Sequence, residues 1–157
     1  TLQIARSSQL ILLPTGISLD DLEPTVRLAH ELASEGISKE YIGIVFCRVG
    51  DSTAELLDAR KYIEQTGYHM IESSLLDRVA YRRAQDIGRS LTETSFKTLN
   101  ERAGAVVQEI VNLAQKRIEG SKKKKKKCRH KYLYLVNYNG KERHLKRKIL
   151  VILSLDR

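Results

Sequence analysis

Two segments join an apolar run to the start of a helix and carry residues that could bind an anion or a nucleotide. They are "PTGIS" at residues 14–18 and "CRVGDS" at residues 47–52. The free N–H groups and the positive dipole end of a helix N-terminus favour negatively charged ligands. Neither segment is a phosphate cradle, because the chain contains no G-x-x-x-x-G-K-[ST] and no G-x-G-x-x-G sequence. Two ordinary strand-to-helix turns remain the alternative interpretation.

The elements that must position these segments alternate between strands and helices. "QLILLP" (residues 9–14) and "YIGIVF" (residues 41–46) are short apolar runs, the pattern of strands buried on both faces of a parallel sheet. We expect Pro14 to end the first strand, because proline lacks the N–H donor. "HMI" (residues 69–71) is a weaker third strand.

Capping residues mark the helices between these strands. Ser18 with Asp21 resembles a capping box, and Gly36 closes that helix. Ser52 caps the next helix, which ends near Gly67. Strands alternating with helices predict an α/β fold with a parallel sheet and right-handed crossovers.

Two further helices follow the third strand. "DRVAYRRAQDIG" reads as a short basic helix ended by Gly88, and a long helix is predicted from Thr92 to residue 119. Apolar residues at spacings of three and four predict that this long helix lies on a core. They are Phe96, Leu99, Ala103, Val106, Ile110 and Leu113.

The net positive charge is confined to the C-terminal tail. Residues 122–157 hold 14 of the 28 lysines and arginines but 2 of the 19 acidic residues, a net charge of +12. The preceding residues hold 14 basic and 17 acidic residues, a net charge of −3. We therefore divide the chain into an α/β unit at residues 1–120 and a basic low-complexity tail at residues 121–157.

Three interpretations of the tail stay open. Tyrosines among lysines could stack on single-stranded bases. Alternatively the tail is disordered or forms a short hairpin, in which "KYLYLVNY" pairs with "KRKILVIL" around Asn139 and Gly140. Translation from a shifted frame after an A-rich run in the gene would also explain the abrupt change in composition.

The α/β unit also resembles a known family. "SSQLILLPTGISLDDLEPTVRLAHEL", "IGIVFCRVGDSTAELLDARKYI" and "DRVAYRRAQDIGRSLTET" resemble the second half of ParA-type partitioning ATPases, which belong to the deviant Walker A, ParA/MinD superfamily. The resemblance implies part of a doubly wound, P-loop NTPase-like sheet with a long C-terminal helix. It also implies a truncated protein, because the family's K-G-G-x-G-K-[ST] loop and catalytic aspartates are not in this sequence.

The resemblance implies cofactors and a base-binding site. The family binds ATP and magnesium, and we expect this chain alone to bind neither tightly and not to hydrolyse ATP. By resemblance, the adenine side of the site falls on Phe46, Cys47 and Arg48. Cys47 stands where the family often has Asn. A second base contact falls on "SSLLD" (residues 73–77), which lacks the family's usual proline.

The family also binds DNA without sequence specificity, and arginine and lysine suit phosphate contacts. A solvated helix face, with arginines paired to Asp77 and Asp86, is the alternative. The candidate residues are Arg78, Arg82, Arg83, Arg89, Lys122, Lys123, Lys124, Lys125, Lys126 and Lys127.

Two function classes follow. The first is a truncated ParA-type protein linked to plasmid or chromosome partitioning, for which enzymatic activity is left open. The second is a non-enzymatic nucleic-acid-binding module that acts through its basic tail. A receiver-like or flavodoxin-like regulatory domain is a weaker third option.

The remaining expectations concern single residues and location. Cys47 and Cys128 predict neither a disulfide nor a zinc site, and His30 is expected to be a helix-surface or packing residue. No apolar run is long enough to span a bilayer, which predicts a cytoplasmic protein, nucleoid-associated if it binds DNA. The first strand would lack neighbours without an upstream half, which predicts self-association or a missing N-terminal partner.

Overall fold

The computed structural model of the chain describes residues 2–124, 133–135, 143–145 and 150–151. In these residues the chain is a mixed α/β structure whose first three strands form a parallel sheet. This confirms the predicted α/β class with parallel strands. The strands are β1 (Ile11–Thr15), β2 (Ile42–Phe46), β3 (His69–Met70), β4 (Leu133–Leu135), β5 (Arg143–Leu145) and β6 (Leu150–Val151).

Two helices begin where the predicted capping serines place them. The side chain of Ser18 accepts a hydrogen bond from the Asp21 N–H at 3.3 Å, and Ser52 accepts one from the Glu55 N–H at 3.3 Å. Gly67 ends one helix in the left-handed conformation that glycine tolerates, with φ of 73°. The helices are α1 (Leu2–Ser7), which the sequence did not predict, α2 (Leu19–Ser34), α3 (Thr53–Thr66), α4 (Val79–Asp86) and α5 (Lys97–Lys124).

The strand order is β3-β2-β1-β6, and all three pairings are parallel. Pro14 lies inside β1 opposite Val45, so the expectation that it ends the strand is wrong. The Thr15 carbonyl bonds toward β2, accepting from the Cys47 N–H at 2.8 Å, so the preceding residue faces the other side of the strand. On that side the pairing with β6 reaches Leu12 in the residues that the structure describes, and none of these described ladder bonds needs an N–H from Pro14.

β6 gives β1 a neighbour that the sequence did not predict. Leu150 pairs with Ile11 and Val151 with Leu12, so the start of β1 is paired on both sides. The sheet edge thought to lack neighbours is therefore partly covered from within the chain. Self-association stays a prediction.

The two faces of the sheet carry separate cores, because successive side chains of a strand point to opposite faces. The α2/α3 face, as we call it, is packed by α2 and α3 against Ile11, Leu13, Ile42, Ile44 and Phe46. The α5 face is packed mainly by α5 against Leu10, Leu12, Val45 and Ile71.

The long helix starts later than predicted. The expected start at Thr92 is wrong, since α5 begins at Lys97. Asn100 holds the preceding turn through its side-chain oxygen, which accepts from the Thr94 N–H at 2.8 Å. Phe96 is consequently 59 % exposed rather than part of the core stripe. Of the other predicted stripe residues, Ala103, Val106 and Leu113 are buried, and Leu99 and Ile110 are partly buried.

The tail is described only in part. α5 continues to Lys124, past residue 120, where we placed the end of the α/β unit. β4 pairs antiparallel with β5, Leu133 opposite Leu145. The strand that pairs with β4 is therefore β5, which lies just before "KRKILVIL", the segment predicted for that pairing. β6, which lies inside "KRKILVIL", joins the parallel sheet instead. Asn139 and Gly140 lie outside the described residues.

Candidate functional site

The polar segments of interest meet at one edge of the sheet. β1, β2 and β3 run parallel, so the segments after Thr15, Phe46 and Met70 all leave from the carboxyl edge. In open α/β sheets this edge is where ligands bind. The described structure therefore brings together residues 16–18, 47–52 and 71–78, which are far apart in sequence.

Hydrogen bonds join the two segments that the ParA resemblance implies for base contacts. The Leu75 N–H donates to the Phe46 carbonyl at 3.0 Å, and the Val49 N–H donates to the Leu75 carbonyl at 2.9 Å. The Asp77 N–H donates to the Val49 carbonyl at 2.8 Å. The segments 46–49 and 75–77 thus extend the sheet beyond its strands and lie side by side.

The three residues predicted at the adenine side have different surroundings. Phe46 is fully buried in the α2/α3 face. Cys47 points to the opposite face, where burial raises the pKa of its thiol to about 11, partly offset by the nearby charge of Arg48. The thiol is therefore protonated at neutral pH and is a poor nucleophile. Arg48 alone offers most of its side chain to solvent, 73 % exposed.

The backbone of Arg48 is strained. Its φ is 57°, in the left-handed region that residues with a Cβ rarely adopt. Among the residues that the structure describes, Arg48 is the only non-glycine residue with a positive φ. Its two neighbours fix it there, because Cys47 donates to Thr15 and Val49 donates to Leu75. Such strain persists where surrounding bonds over-determine it and often marks a functional position.

Two ion pairs cross the carboxyl edge. The Arg48 guanidinium lies 3.9 Å from the Asp21 carboxylate, which also accepts a hydrogen bond from the Ser18 hydroxyl at 3.0 Å. Arg78 forms a hydrogen-bonded ion pair with Asp51, which joins the segment after β3 to the segment after β2. Exposed pairs of this kind contribute little to stability, so an anionic ligand could displace them at low cost.

Gly16 permits the close approach of the segment after β1 to α2. A Cβ at this position would lie 2.0 Å from Oδ2 of Asp21. Any other residue would push the Asp21 carboxylate away from Ser18 and from Arg48. The glycine therefore preserves both the helix cap and the ion pair across the edge.

Glu109 of α5 holds the loop after β3, and no sequence pattern signals this contact. Its carboxylate accepts from the Glu72 N–H at 2.6 Å and from the Ser73 N–H at 2.9 Å. Arg60 of α3 contacts the side-chain carboxylate of Glu72 at 2.8 Å. Charge-assisted bonds to backbone N–H groups are among the stronger ones, so α5 directly positions the segment beside Arg48.

The arginine cluster divides into two pairs. Arg78 and Arg82 form ion pairs, with Asp51 and with Asp77 at 2.6 Å, which matches in part the alternative of a self-paired helix face. Arg83 and Arg89 have no ion-pair partner in the described part of the chain and line a surface cleft. Among the lysines, Lys122, Lys123 and Lys124 lie in the last turn of α5. Lys125, Lys126 and Lys127 lie outside the described residues.

His30 has the packing role that was expected. Its ring Nδ1 lies 2.9 Å from the hydroxyl of Tyr68, and the two rings meet at 5.3 Å between centroids. The Lys39 ammonium also lies over the Tyr68 ring, 4.9 Å from its centroid. The contact ties α2 to the start of β3.

Comparison with known proteins adds no family to these observations. The chain matches no protein-family model and no curated protein. Among the described residues, every helix is too short or too polar to traverse a lipid bilayer. The same residues contain no group of three or more His, Cys, Asp or Glu side chains arranged to hold a metal ion.

Proposed function

We propose that this chain is the C-terminal part of a ParA-type partitioning ATPase and that its carboxyl edge contacts the adenine base of ATP. The observation that carries the proposal is the direct hydrogen bonding between residues 46–49 and residues 75–77. The resemblance assigns base contacts to these two segments from positions nearly thirty residues apart. Their adjacency supports one binding surface made from both.

The residues present fit the base better than the rest of the nucleotide. Arg48 presents a planar guanidinium, which stacks on aromatic rings and donates hydrogen bonds. Neighbouring backbone groups supply further donors and acceptors. In the ParA family, ATP binds together with magnesium, and hydrolysis removes its terminal phosphate. The described residues contain no group of His, Cys, Asp or Glu side chains arranged to hold magnesium. We assign the contacts to the phosphates and to magnesium to no residue of this chain.

Base recognition can be tested without the phosphates. Adenosine avoids non-specific attraction of nucleotide phosphates to the basic tail, so we would titrate adenosine and guanosine into ¹⁵N-labelled full chain and follow amide shifts by NMR. We expect weak binding of adenosine, with shifts concentrated at Arg48, Val49, Ser74 and Leu75. Guanosine should shift these amides less, since its base edge presents different donors and acceptors.

A pair of variants locates the effect. Arg48→Ala should reduce the adenosine-induced shifts, whereas Arg27→Ala, which removes an exposed arginine from α2, should leave them unchanged. Shifts that are absent, or equal for both nucleosides, or unaffected by Arg48→Ala would reject the proposed base site.

A second function, non-specific DNA binding through the tail, is favoured by the separation of charge. The net charge of +12 in residues 122–157 contrasts with −3 in the preceding residues. Contacts through lysines to phosphates give affinity that falls steeply with salt. Arg78 and Arg82 are less suited to this role, because carboxylates already neutralise them.

DNA binding is best tested by substitution rather than deletion, because β6 of the tail pairs with β1. We would measure anisotropy of labelled duplex DNA at several salt concentrations. Replacing the six lysines at 122–127 with glutamine should weaken binding and flatten its salt dependence. If binding survives unchanged, and Arg83→Gln with Arg89→Gln abolishes it instead, the tail is not the DNA-binding element.

A further inference from the structure

A surface cleft of about 270 Å³ lies between α4 and the turn that precedes α5. Val79, Ile87 and Phe96 form its apolar wall, and Arg83 and Arg89 stand beside them. None of its lining residues belongs to residues 46–49 or 75–77, so it is separate from the proposed base site. The cleft was not anticipated from the sequence, which placed Phe96 in the core.

The apolar wall is unusually exposed. Val79 is 51 % exposed, Ile87 68 % and Phe96 59 %, three of the large exposed apolar side chains of the described chain gathered in one place. Single exposed apolar residues are common, but a contiguous group with a polar rim marks an interaction surface. Aromatic and arginine side chains together are typical of the energetically dominant part of protein interfaces.

The charges of the cleft are unbalanced. On the same short segment of chain, Arg78 and Arg82 are held by Asp51 and Asp77, but the two arginines at the cleft have no carboxylate partner in the described residues. Glu93, which also lines the cleft, is engaged elsewhere, since its carboxylate accepts from the Ser90 N–H at 2.9 Å. A ligand that carries its own carboxylates would form ion pairs with Arg83 and Arg89.

We propose that this cleft binds an acidic amphipathic segment of a partner protein. An apolar side chain of the partner enters between Phe96 and Ile87, and flanking carboxylates pair with Arg83 and Arg89. The small volume suits one or two inserted side chains rather than a drug-sized ligand. Arginine meets carboxylates with two parallel hydrogen bonds, which would orient the segment along the cleft.

The lining favours a protein segment over a nucleic acid. A phosphate backbone would pair with the two arginines as the carboxylates of a peptide would, so these charges do not separate the two ligands. The phosphate backbone would leave the aliphatic side chains of Val79 and Ile87 without apolar contact. Desolvating that apolar surface is the larger gain, and only an apolar side chain obtains it.

The test is selection of a displayed library of random short peptides on the immobilised full chain. We expect enrichment of peptides that combine Asp or Glu with Leu, Ile or Phe. The most enriched peptide, synthesised with a fluorescent label, is then titrated by anisotropy. Arg83→Glu and Phe96→Ala should each weaken its binding by about tenfold or more, as expected for central interface residues.

Matched variants separate the cleft from general charge and exposure. Arg27→Glu makes the same charge change on α2, and Leu57→Ala removes an apolar side chain that is 56 % exposed on α3. Both should bind the peptide as the unaltered chain does. A peptide with lysine in place of a glutamate should bind Arg83→Glu better than it binds the unaltered chain.

Three results would overturn the proposal. One is a selection that enriches no acidic and apolar peptides. Another is a selected peptide that binds the unaltered chain, Arg83→Glu and Phe96→Ala equally. The third is failure to enrich any peptide together with loss of labelled oligothymidylate binding in both variants, which would assign the cleft to single-stranded nucleic acid.

Discussion

The two faces of the sheet are closed by very different parts of the chain. On the α2/α3 face, each covering helix directly follows or precedes the strand that it covers. On the α5 face, the covering helix comes from far along the sequence, and fewer residues form the buried cluster. The first face is thus built by local crossovers and the second by a single long-range contact.

The carboxyl edge depends on both faces at once. Phe46 belongs to the α2/α3 face, Cys47 to the α5 face, and Arg48 stands between them in its strained conformation. Glu109 of α5 fixes the neighbouring loop. One half of the surface at this edge is therefore positioned by local structure, and the other half depends on how α5 docks.

The largest difference between the faces should appear in core truncations. Ile44→Ala removes a fully buried side chain from the α2/α3 face, and we expect it to lower the free energy of unfolding by about 4 kcal/mol. Leu113→Ala on the α5 face, where the side chain is 6 % exposed, should cost about 2 kcal/mol. Urea unfolding followed by circular dichroism measures both.

Leu57→Ala is the control for these truncations, since its exposed side chain should change stability by less than about 0.5 kcal/mol. Equal losses from Ile44→Ala and Leu113→Ala would mean that the two faces are packed equally well. The two faces would then differ only in how far along the sequence their covering helices lie from the strands.

The sequence predicts the α2/α3 face well because its signals are local. Ser18 and Ser52 cap helices within one turn, and Gly36 and Gly67 adopt the left-handed φ that only glycine takes without strain. The apolar runs at residues 9–14 and 41–46 locate β1 and β2 to within two positions. The polar segments that follow them could therefore be placed at one edge of the sheet in advance.

The α5 face and much of the site could not be predicted. Glu109 acts on backbone groups 36 and 37 residues away in sequence, and no pattern in a helix marks such a contact. Phe96 fits the spacing of the apolar stripe. The side chain of Asn100, however, holds Thr94 in a turn, and α5 starts at Lys97, too late to bury Phe96. The strain at Arg48 arises from bonds to two different segments.

Removal of the Glu109 carboxylate tests whether α5 sets the geometry of the edge. Glu109→Ala leaves the Glu72 and Ser73 N–H groups without their acceptor, and we expect a loss of about 2 kcal/mol. Hydrogen exchange should accelerate at these two amides before it changes in β2. Glu101→Ala, which removes an exposed carboxylate 3.8 Å from Lys97, should alter neither.

If Glu109→Ala speeds exchange throughout the sheet to the same degree, the carboxylate supports the whole fold and not the loop alone. Unchanged exchange at Glu72 and Ser73 would show that the two hydrogen bonds contribute nothing to the order of this segment.

The helix caps of the α2/α3 face should have smaller and more uniform effects. Ser18→Ala and Ser52→Ala each remove one side-chain acceptor at a helix start, and each should lower stability by about 1 kcal/mol. Urea midpoints measure the change. A loss at Ser18 well above that at Ser52 would indicate that the Asp21–Arg48 pair, which shares the cap, contributes as well.

The smallest effect on stability concerns the thiol of Cys47 on the α5 face. Its ionisation changes the free energy of unfolding only at alkaline pH. Burial raises the thiol pKa from its ordinary 9.0 to about 11, so between these values the folded chain holds a proton that the unfolded chain releases. Stability should therefore fall more steeply from pH 9 to pH 11 in the parent chain than in Cys47→Ala, while below pH 9 the two curves run parallel. Both chains would carry Cys128→Ser, and their shared tyrosines cancel in the difference. Coincident slopes above pH 9 would mean that water reaches the thiol and that α5 does not seal this face beside the proposed base site.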